Sequence, residues 1–258
     1  TGFLGIAVHR SNDQRFKLLL LGGTSDGRKM AEALHDAGIF LIYSMAGLVR
    51  IPIVPYELVI GGFHQFGGLT QYLKDNHITA VLDVTHPYAV NMSVQAATST
   101  REVGIPYLRF NRLSWIKNTD DDWHTFDNWP ELFDALKNKN RVFLTLGQLH
   151  QNQLETLATY TNQEHVLRTA VKPILDLPKS ITWIKAIGPF TEKDERTLLS
   201  KFKIDAIVCK NSGGNATQEK LNAARKMNIP VFMLNRPELP QADIEFTDLD
   251  TCKNYMLN

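Results

Sequence analysis

Leu21-Gly22-Gly23-Thr24-Ser25-Asp26-Gly27-Arg28 joins an apolar run to a helical pattern, and its residue types suit phosphate chemistry. Glycines at such a turn let a pyrophosphate approach the backbone, and the first N–H groups of the helix meet its charge. Gly22 and Gly27 keep the outer spacing of GxGxxG, with Thr24 in place of the middle glycine. Gly22, Gly23, Thr24, Ser25 and Gly27 are therefore candidate coenzyme contacts. The competing reading is a tight βα connection with Ser25 or Asp26 as N-cap. An NAD site places Asp or Glu about 20 residues further on, at the ribose. Nothing acidic stands between Asp36 and Glu57; Ser44 and Arg50 occupy that stretch instead. A hydroxyl and a guanidinium suit a 2′-phosphate, which favours NADPH, with NADH possible.

Further polar groups fall where strands are expected to end, the edge at which open α/β sheets bind ligands. Gly61-Gly62 permits close backbone approach. Asp83-Val84-Thr85-His86 gathers a carboxylate, a hydroxyl and an imidazole. His86 is a candidate proton donor, with Asp83 or solvent able to serve equally, while capping of the next helix by Asp83 and Thr85 is the plainer alternative. Lys210-Asn211-Ser212-Gly213-Gly214 offers N–H groups and one cation to a carboxylate or phosphate. Thr145 and Gly147 sit in the corresponding turn of another strand, and Arg109 lies near a strand end. The histidines form no HxH or HExxH spacing, so no metal is expected.

The elements that must hold these turns alternate between strand and helix. Strands are expected at 16–21, 39–43, 58–60, 80–84, 106–110, 141–146, 165–169, 182–186, 206–209 and 230–234. Helices are expected at 26–37, 67–75, 90–103, 192–202 and 218–227, with a closing helix at 248–257. The short apolar runs read as buried parallel strands and the segments between them as crossover helices. The stretch 111–140 breaks the pattern and reads as loop with a helix start at Asn128-Trp129-Pro130. The expected fold is α/β, with two Rossmann-like parallel-sheet domains: 16–113 for the dinucleotide and 114–258 for the substrate.

The chain has 258 residues, which at roughly 100–200 per domain allows two small domains. A net charge of +1 excludes a dedicated nucleic-acid or polybasic membrane binder, and no apolar run is long enough for a transmembrane helix. Cys209 and Cys252 form no metal or redox spacing, so a cytoplasmic setting is expected, with Cys209 a buried core thiol. Thr1 to Arg15 lacks a basic start and reads as a processed, tagged or excised beginning rather than a signal peptide.

The succession LLLGGTSDGR, SMAG, IGGFHQFGG, DVTHPYA, PYLRFNRLSW, RVFLTLG, GPFTEKDE and KNSGGNATQEK, running from about Phe16 to Pro237, resembles the precorrin-6A reductase family of cobalamin biosynthesis. The resemblance implies two Rossmann-like domains with a cleft between them. It also implies reduction of one double bond in a tetrapyrrole macrocycle at the expense of NADPH or NADH. Coenzyme contacts carry onto Gly22, Gly23, Thr24 and Ser44, joined by Ser25, Gly27, Arg50, Gly62 and Thr85 from the residue reading. Substrate contacts are expected from Lys210, Asn211, Ser212, Gly213 and Gly214, with Arg109, Thr145 and Gly147 as further candidates. The expected partner is the tetrapyrrole itself, bound by a monomer or weak homo-oligomer. Two other classes share the glycine turn: a non-catalytic dinucleotide-sensing regulatory module and a sugar-nucleotide-type transferase. A sensor has no need of a second ligand turn such as the lysine-glycine one.

Overall fold

The computed structural model describes residues 16–47 and 53–258. The described residues fall into two units, those of 16–112 with 237–258 and those of 113–236. Each is built on a six-stranded, all-parallel sheet.

The first unit contains β1 (Leu18–Leu21), α1 (Ser25–Asp36), β2 (Leu41–Met45), β3 (Glu57–Ile60), a 3-10 turn (Phe63–Phe66), α2 (Leu69–Asp75), β4 (Ala80–Asp83), α3 (Val90–Val103) and β5 (Tyr107–Phe110). Every residue of β1 is apolar and at most 1% exposed, because helices cover the central strand on both faces. Leu18 and Leu20 pack with Met30, Ala31 and Leu34 of α1, whose spacing makes one apolar stripe. Leu19 and Leu21 pack on the opposite face with Leu69, Leu73 and Ala96.

The second unit contains β6 (Trp123–Phe126), α4 (Trp129–Ala135), β7 (Arg141–Thr145), α5 (Gln151–Ala158), β8 (Glu164–Thr169), β9 (Ile181–Lys185), α6 (Glu192–Lys201), β10 (Ala206–Lys210), α7 (Glu219–Met227) and β11 (Val231–Leu234). Its strand order is β6-β11-β10-β7-β8-β9. β6 lies where the sequence reads as loop. Its alternation is hidden by Asp120-Asp121-Asp122 before it and by polar His124 and Thr125 within it.

The chain then returns to the first unit as β12 (Ile244–Phe246) and α8 (Leu249–Leu257). Strand order in the first sheet is thus β12-β5-β4-β1-β2-β3. This corrects the domain boundary expected from sequence, which leaves 237–258 with the second half. Tyr107 and Asp243 exchange backbone and side-chain hydrogen bonds, and Cys252 and Met256 enter the core around Leu18. Among the described residues no helix is long and apolar enough to cross a membrane.

Candidate active site

Parallel strands put all their C-terminal ends on one edge, and the gap between strands that run off in opposite directions is the usual ligand position. In the first sheet that gap lies between β1 and β4. Gly22-Gly23 leaves β1 there and Val84-Thr85-His86 leaves β4. Thr24 bridges them: its Oγ1 donates to the Val84 carbonyl at 2.9 Å and accepts the Gly27 N–H at 3.0 Å. Thr24 is therefore the N-cap of α1, in place of the expected Ser25 or Asp26. Helix geometry leaves the N–H groups of Ser25 and Asp26 without an intrahelical acceptor. Asp26 would oppose an anion at this helix start, but Arg112 pairs with it at 2.8 Å.

The glycines have separate reasons. A Cβ on Gly22 would overlap the Tyr43 ring, and one on Gly27 would lie 3.1 Å from the Gly22 Cα. Gly23 has φ +98°, and a Cβ there would meet nothing within 4 Å. The turn is thus shaped from below by Tyr43 and α1, with open space outside Gly23. Those features fit a pyrophosphate.

Gly62 and Thr85 reach the same edge, at the ends of β3 and β4. A Cβ on Gly62 would lie 2.6 Å from Nδ1 of His64, an exposed side chain that can turn aside, and Gly62 has an ordinary φ of -81°, so packing of the 3-10 turn does not by itself require glycine there. Ser44 does not end its strand as expected. It is 6% exposed inside β2, and its carbonyl accepts the Gly22 N–H at 2.8 Å. Arg50 lies outside the described residues.

Asp83 is corrected as a proton donor. It is 1% exposed, and its two oxygens accept from Thr85 N, Thr85 Oγ1, Ser93 Oγ and Tyr107 OH at 2.6–3.0 Å. It anchors the Thr85-His86 loop, and both its oxygens are taken up by these internal donors. Burial and the Asp83 carboxylate push the Tyr107 phenol well above its ordinary pKa, so Tyr107 stays a donor. His86 Nδ1 accepts the Tyr88 N–H at 3.3 Å, which leaves the neutral ring's proton on Nε2.

Arg109 is corrected as a substrate contact. Its guanidinium is 7% exposed, pairs with Glu245 of β12 through Nε at 2.9 Å, and donates to the Pro240 carbonyl at 2.7 Å. It ties the returning chain to β5.

In the second sheet the corresponding gap lies between β7 and β10. Thr145 ends β7, and its Oγ1 donates to the Val208 carbonyl at 3.0 Å, so the hydroxyl closes the gap between the strands. Gly147 follows with φ +77°. Lys210 ends β10 half-buried, and burial pushes its ammonium pKa down. The turn beyond it is pinned within the unit. Asn211 Oδ1 accepts the Trp115 N–H at 2.8 Å, and Trp115 Nε1 donates to the Gly214 carbonyl at 2.8 Å. Arg236 donates to the carbonyls of Asn211 and Ser212 at 2.8 and 3.0 Å. A Cβ on Gly213 would overlap the Leu113 carbonyl. Asn211 and Gly213 therefore shape the turn by their own internal contacts.

Sequence reasoning missed Tyr43, Trp115 and Arg236, whose contacts shape these turns. Trp115 carried a signal, since it ends the RLSW element, but its partners are nearly a hundred residues away. Among the described residues no group of three or more His, Cys, Asp or Glu is placed to hold a metal ion.

The family model described as precorrin-6x reductase CbiJ/CobK matches residues 17–256. A precorrin-6A reductase of Rhodococcus erythropolis is 35% identical over 229 residues, covering 88% of this chain and 91% of its own length. One from Mycobacterium tuberculosis is 37% identical over 232 residues, covering 87% and 90%. A cobalt-precorrin-6A reductase of Methanocaldococcus jannaschii is 26% identical over 251 residues, covering 93% and 98%. The solved structure of CobK precorrin-6A reductase superposes with a TM-score of 0.84 at 32% identity, covering 93% of this chain and 96% of that one. Sequence relatives and fold agree along nearly the full described length, and the chain belongs to the precorrin-6x reductase family.

Proposed function

We propose that the protein reduces one double bond of the precorrin-6A macrocycle, metal-free or cobalt-bearing, in cobalamin biosynthesis, with NADPH as the preferred electron donor and NADH as the weaker one. The observation that carries this reading is the β1–β4 gap, where a glycine turn, a capped helix start and the His86 loop meet at one sheet edge. Bound there, the nicotinamide coenzyme supplies the hydride. Gly22, Gly23, Thr24, Ser25 and Gly27 cradle its pyrophosphate, and the helix start offers N–H groups to its charge. Gly62 and Thr85 line the same edge, and Arg50 pairs with the 2′-phosphate.

The macrocycle carries carboxylates, and the β7–β10 edge offers Lys210 and the turn Asn211 to Gly214 to hold them, with Gly147 beside the turn. Holding donor and acceptor carbons close supplies much of the rate. His86 serves as the proton donor from its imidazolium form, which gives up the Nδ1 contact with the Tyr88 N–H, and it returns to the neutral ring once the Nε2 proton has passed to the carbon framework.

The test is to incubate the purified protein with metal-free and with cobalt-loaded precorrin-6A and each coenzyme, following loss of the reduced nicotinamide. Oxidation dependent on the tetrapyrrole is expected. Coenzyme binding without turnover on either substrate would make the protein a sensor. A charge-assisted contact is worth about 1.5–3 kcal/mol, so Arg50→Ala should weaken NADPH about tenfold or more and leave NADH nearly unchanged. Equal losses for both coenzymes would give Arg50 a structural role.

A further inference from the structure

We propose that Tyr43 is itself a phosphate ligand of the coenzyme site, its hydroxyl donating to the pyrophosphate through the glycine turn between β1 and α1. The inference rests on the coenzyme reading above and names a residue no glycine motif includes.

Tyr43 is the third residue of β2, in register with Leu20 of β1. It is 1% exposed, and its ring packs in the apolar cluster of Leu18, Leu20, Met30 and Leu34 beneath α1. The hydroxyl reaches the turn. It accepts the Gly23 N–H at 2.9 Å, and a Cβ on Gly27 would lie 3.3 Å from it. A Cβ on Gly22 would overlap the ring. Gly22, Gly23 and Gly27 therefore enclose one phenol oxygen.

That oxygen has a second function to satisfy. Its own proton finds no acceptor among the described residues, whereas the hydroxyls of Tyr107 and Tyr160 donate to Asp83 Oδ2 and to the Phe133 carbonyl. Buried polar groups are paired, and an unused buried donor calls for a partner. Apart from Tyr56, whose ring meets that of Tyr43 edge-on, the cluster around the ring is apolar, and the turn is the side that offers room for an acceptor. There the space outside Gly23 is open and the start of α1 favours an anion. Burial raises the phenol pKa, which keeps the proton in place for donation. The absent side chains at Gly22 and Gly27 thus make room for the Tyr43 ring and hydroxyl, while Gly23 leaves room for an anion above them.

Tyr43→Phe keeps the ring and removes only the hydroxyl. Wild type and variant are titrated by calorimetry with NADPH, with ADP-ribose, which keeps the pyrophosphate, and with adenosine 2′-monophosphate, which lacks it. Their thermal unfolding is also compared. The expected result is a loss of about tenfold for NADPH and ADP-ribose, unchanged affinity for the monophosphate, and a raised coenzyme KM with kcat retained at saturation. Equal NADPH affinity in the two proteins, or a parallel loss for all three ligands, would overturn the proposal while leaving the coenzyme reading intact. Failure of the wild type to bind NADPH and ADP-ribose would overturn both. Should the variant not fold, a crystal structure of the wild type with NADPH decides. Tyr43 Oη is expected about 2.7 Å from a phosphate oxygen, and a water or a gap between them would overturn the assignment.

Discussion

Gly23 stands at φ +98° with nothing near its missing side chain, so backbone conformation and ligand access make separable demands on it. A β-branched residue at positive φ is strained by roughly 1–3 kcal/mol, an amount a folded chain survives. Gly23→Val should therefore lower the unfolding temperature by a few degrees yet remove most coenzyme binding, because the branched side chain fills the space the pyrophosphate needs. Thermal unfolding and coenzyme titration on the same variant test this; loss of all soluble protein would leave only the turn geometry. Lys210 makes the complementary case on the second sheet. Lys210→Ala should raise KM for the tetrapyrrole and leave coenzyme affinity unchanged, and steady-state kinetics against each substrate separate the two. Since burial holds its pKa below the ordinary lysine value, the wild-type KM should also begin to rise at a lower alkaline pH than a solvated lysine would give. The places of Gly22, Gly23 and Lys210 at the ends of β1 and β10 could be read from residue type and spacing. Asp83 and Arg109 could not be placed the same way. Each is polar at a strand end, and what decides its role is a partner far along the chain: Tyr107 for the carboxylate, Glu245 for the guanidinium.

The elements of the second unit show which local signals suffice. Thr191-Glu192-Lys193-Asp194 starts α6 with a reciprocal cap, a pattern visible in sequence. The helix also carries Glu195, which is fully buried and pairs with Arg168 of β8 at 2.8 Å. The Arg168 guanidinium stacks 3.9 Å from the Phe190 ring centroid, and Lys220 of α7 is buried nearby. Removing one partner of a buried pair leaves an uncompensated charge, at a cost of about 3–5 kcal/mol. Glu195→Ala should lose stability of that order in denaturant unfolding, and a loss below about 1 kcal/mol would show that the pair is not a determinant of the fold. His165 on β8 gives the unit a pH dependence. Burial lowers its pKa to about 4, its Nε2 meets Gln163 Oε1 at 2.8 Å, and its Nδ1 has no partner. The unfolded chain takes up this proton first, near pH 6.5. Stability from the neutral imidazole is therefore complete above that pH and falls between about 6.5 and 4, by roughly 3 kcal/mol at most. His165→Gln should flatten unfolding free energy against pH in that window. An unchanged slope would assign the acid sensitivity to other groups.

At the scale of the whole molecule, the least legible feature was the return of the chain to its first sheet. Alternating strand and helix patterns fix two parallel sheets, but nothing local in Ile244-Glu245-Phe246 says which edge it joins. Three residues are too few for a period, and parallel pairing leaves no hairpin turn to read. The contacts that decide it are long-range. Glu245 takes the Arg109 guanidinium, Asp243 takes the Tyr107 N–H at 2.8 Å, and Asn111 N–H donates to the Phe246 carbonyl at 2.8 Å. Phe246, Cys252 and Met256 are buried with β1 and α1. At about 1.5–3 kcal/mol for each large apolar side chain, Phe246 and Met256 alone supply a sizeable part of the 5–15 kcal/mol typical of a domain. The loss of the Arg109 partner adds an unpaired buried cation to that deficit. A chain ending at Arg236 should therefore lose the first unit and keep the second, whose core residues all lie between 113 and 236. Hydrogen exchange on the shortened chain reads this directly. Amides of β1, β4 and β5 should lose protection by orders of magnitude, while those of β7, β10 and β11 keep theirs. Retained protection in β1 would mean that the first five strands hold their sheet without the return, and that Glu245 and α8 add only at its edge.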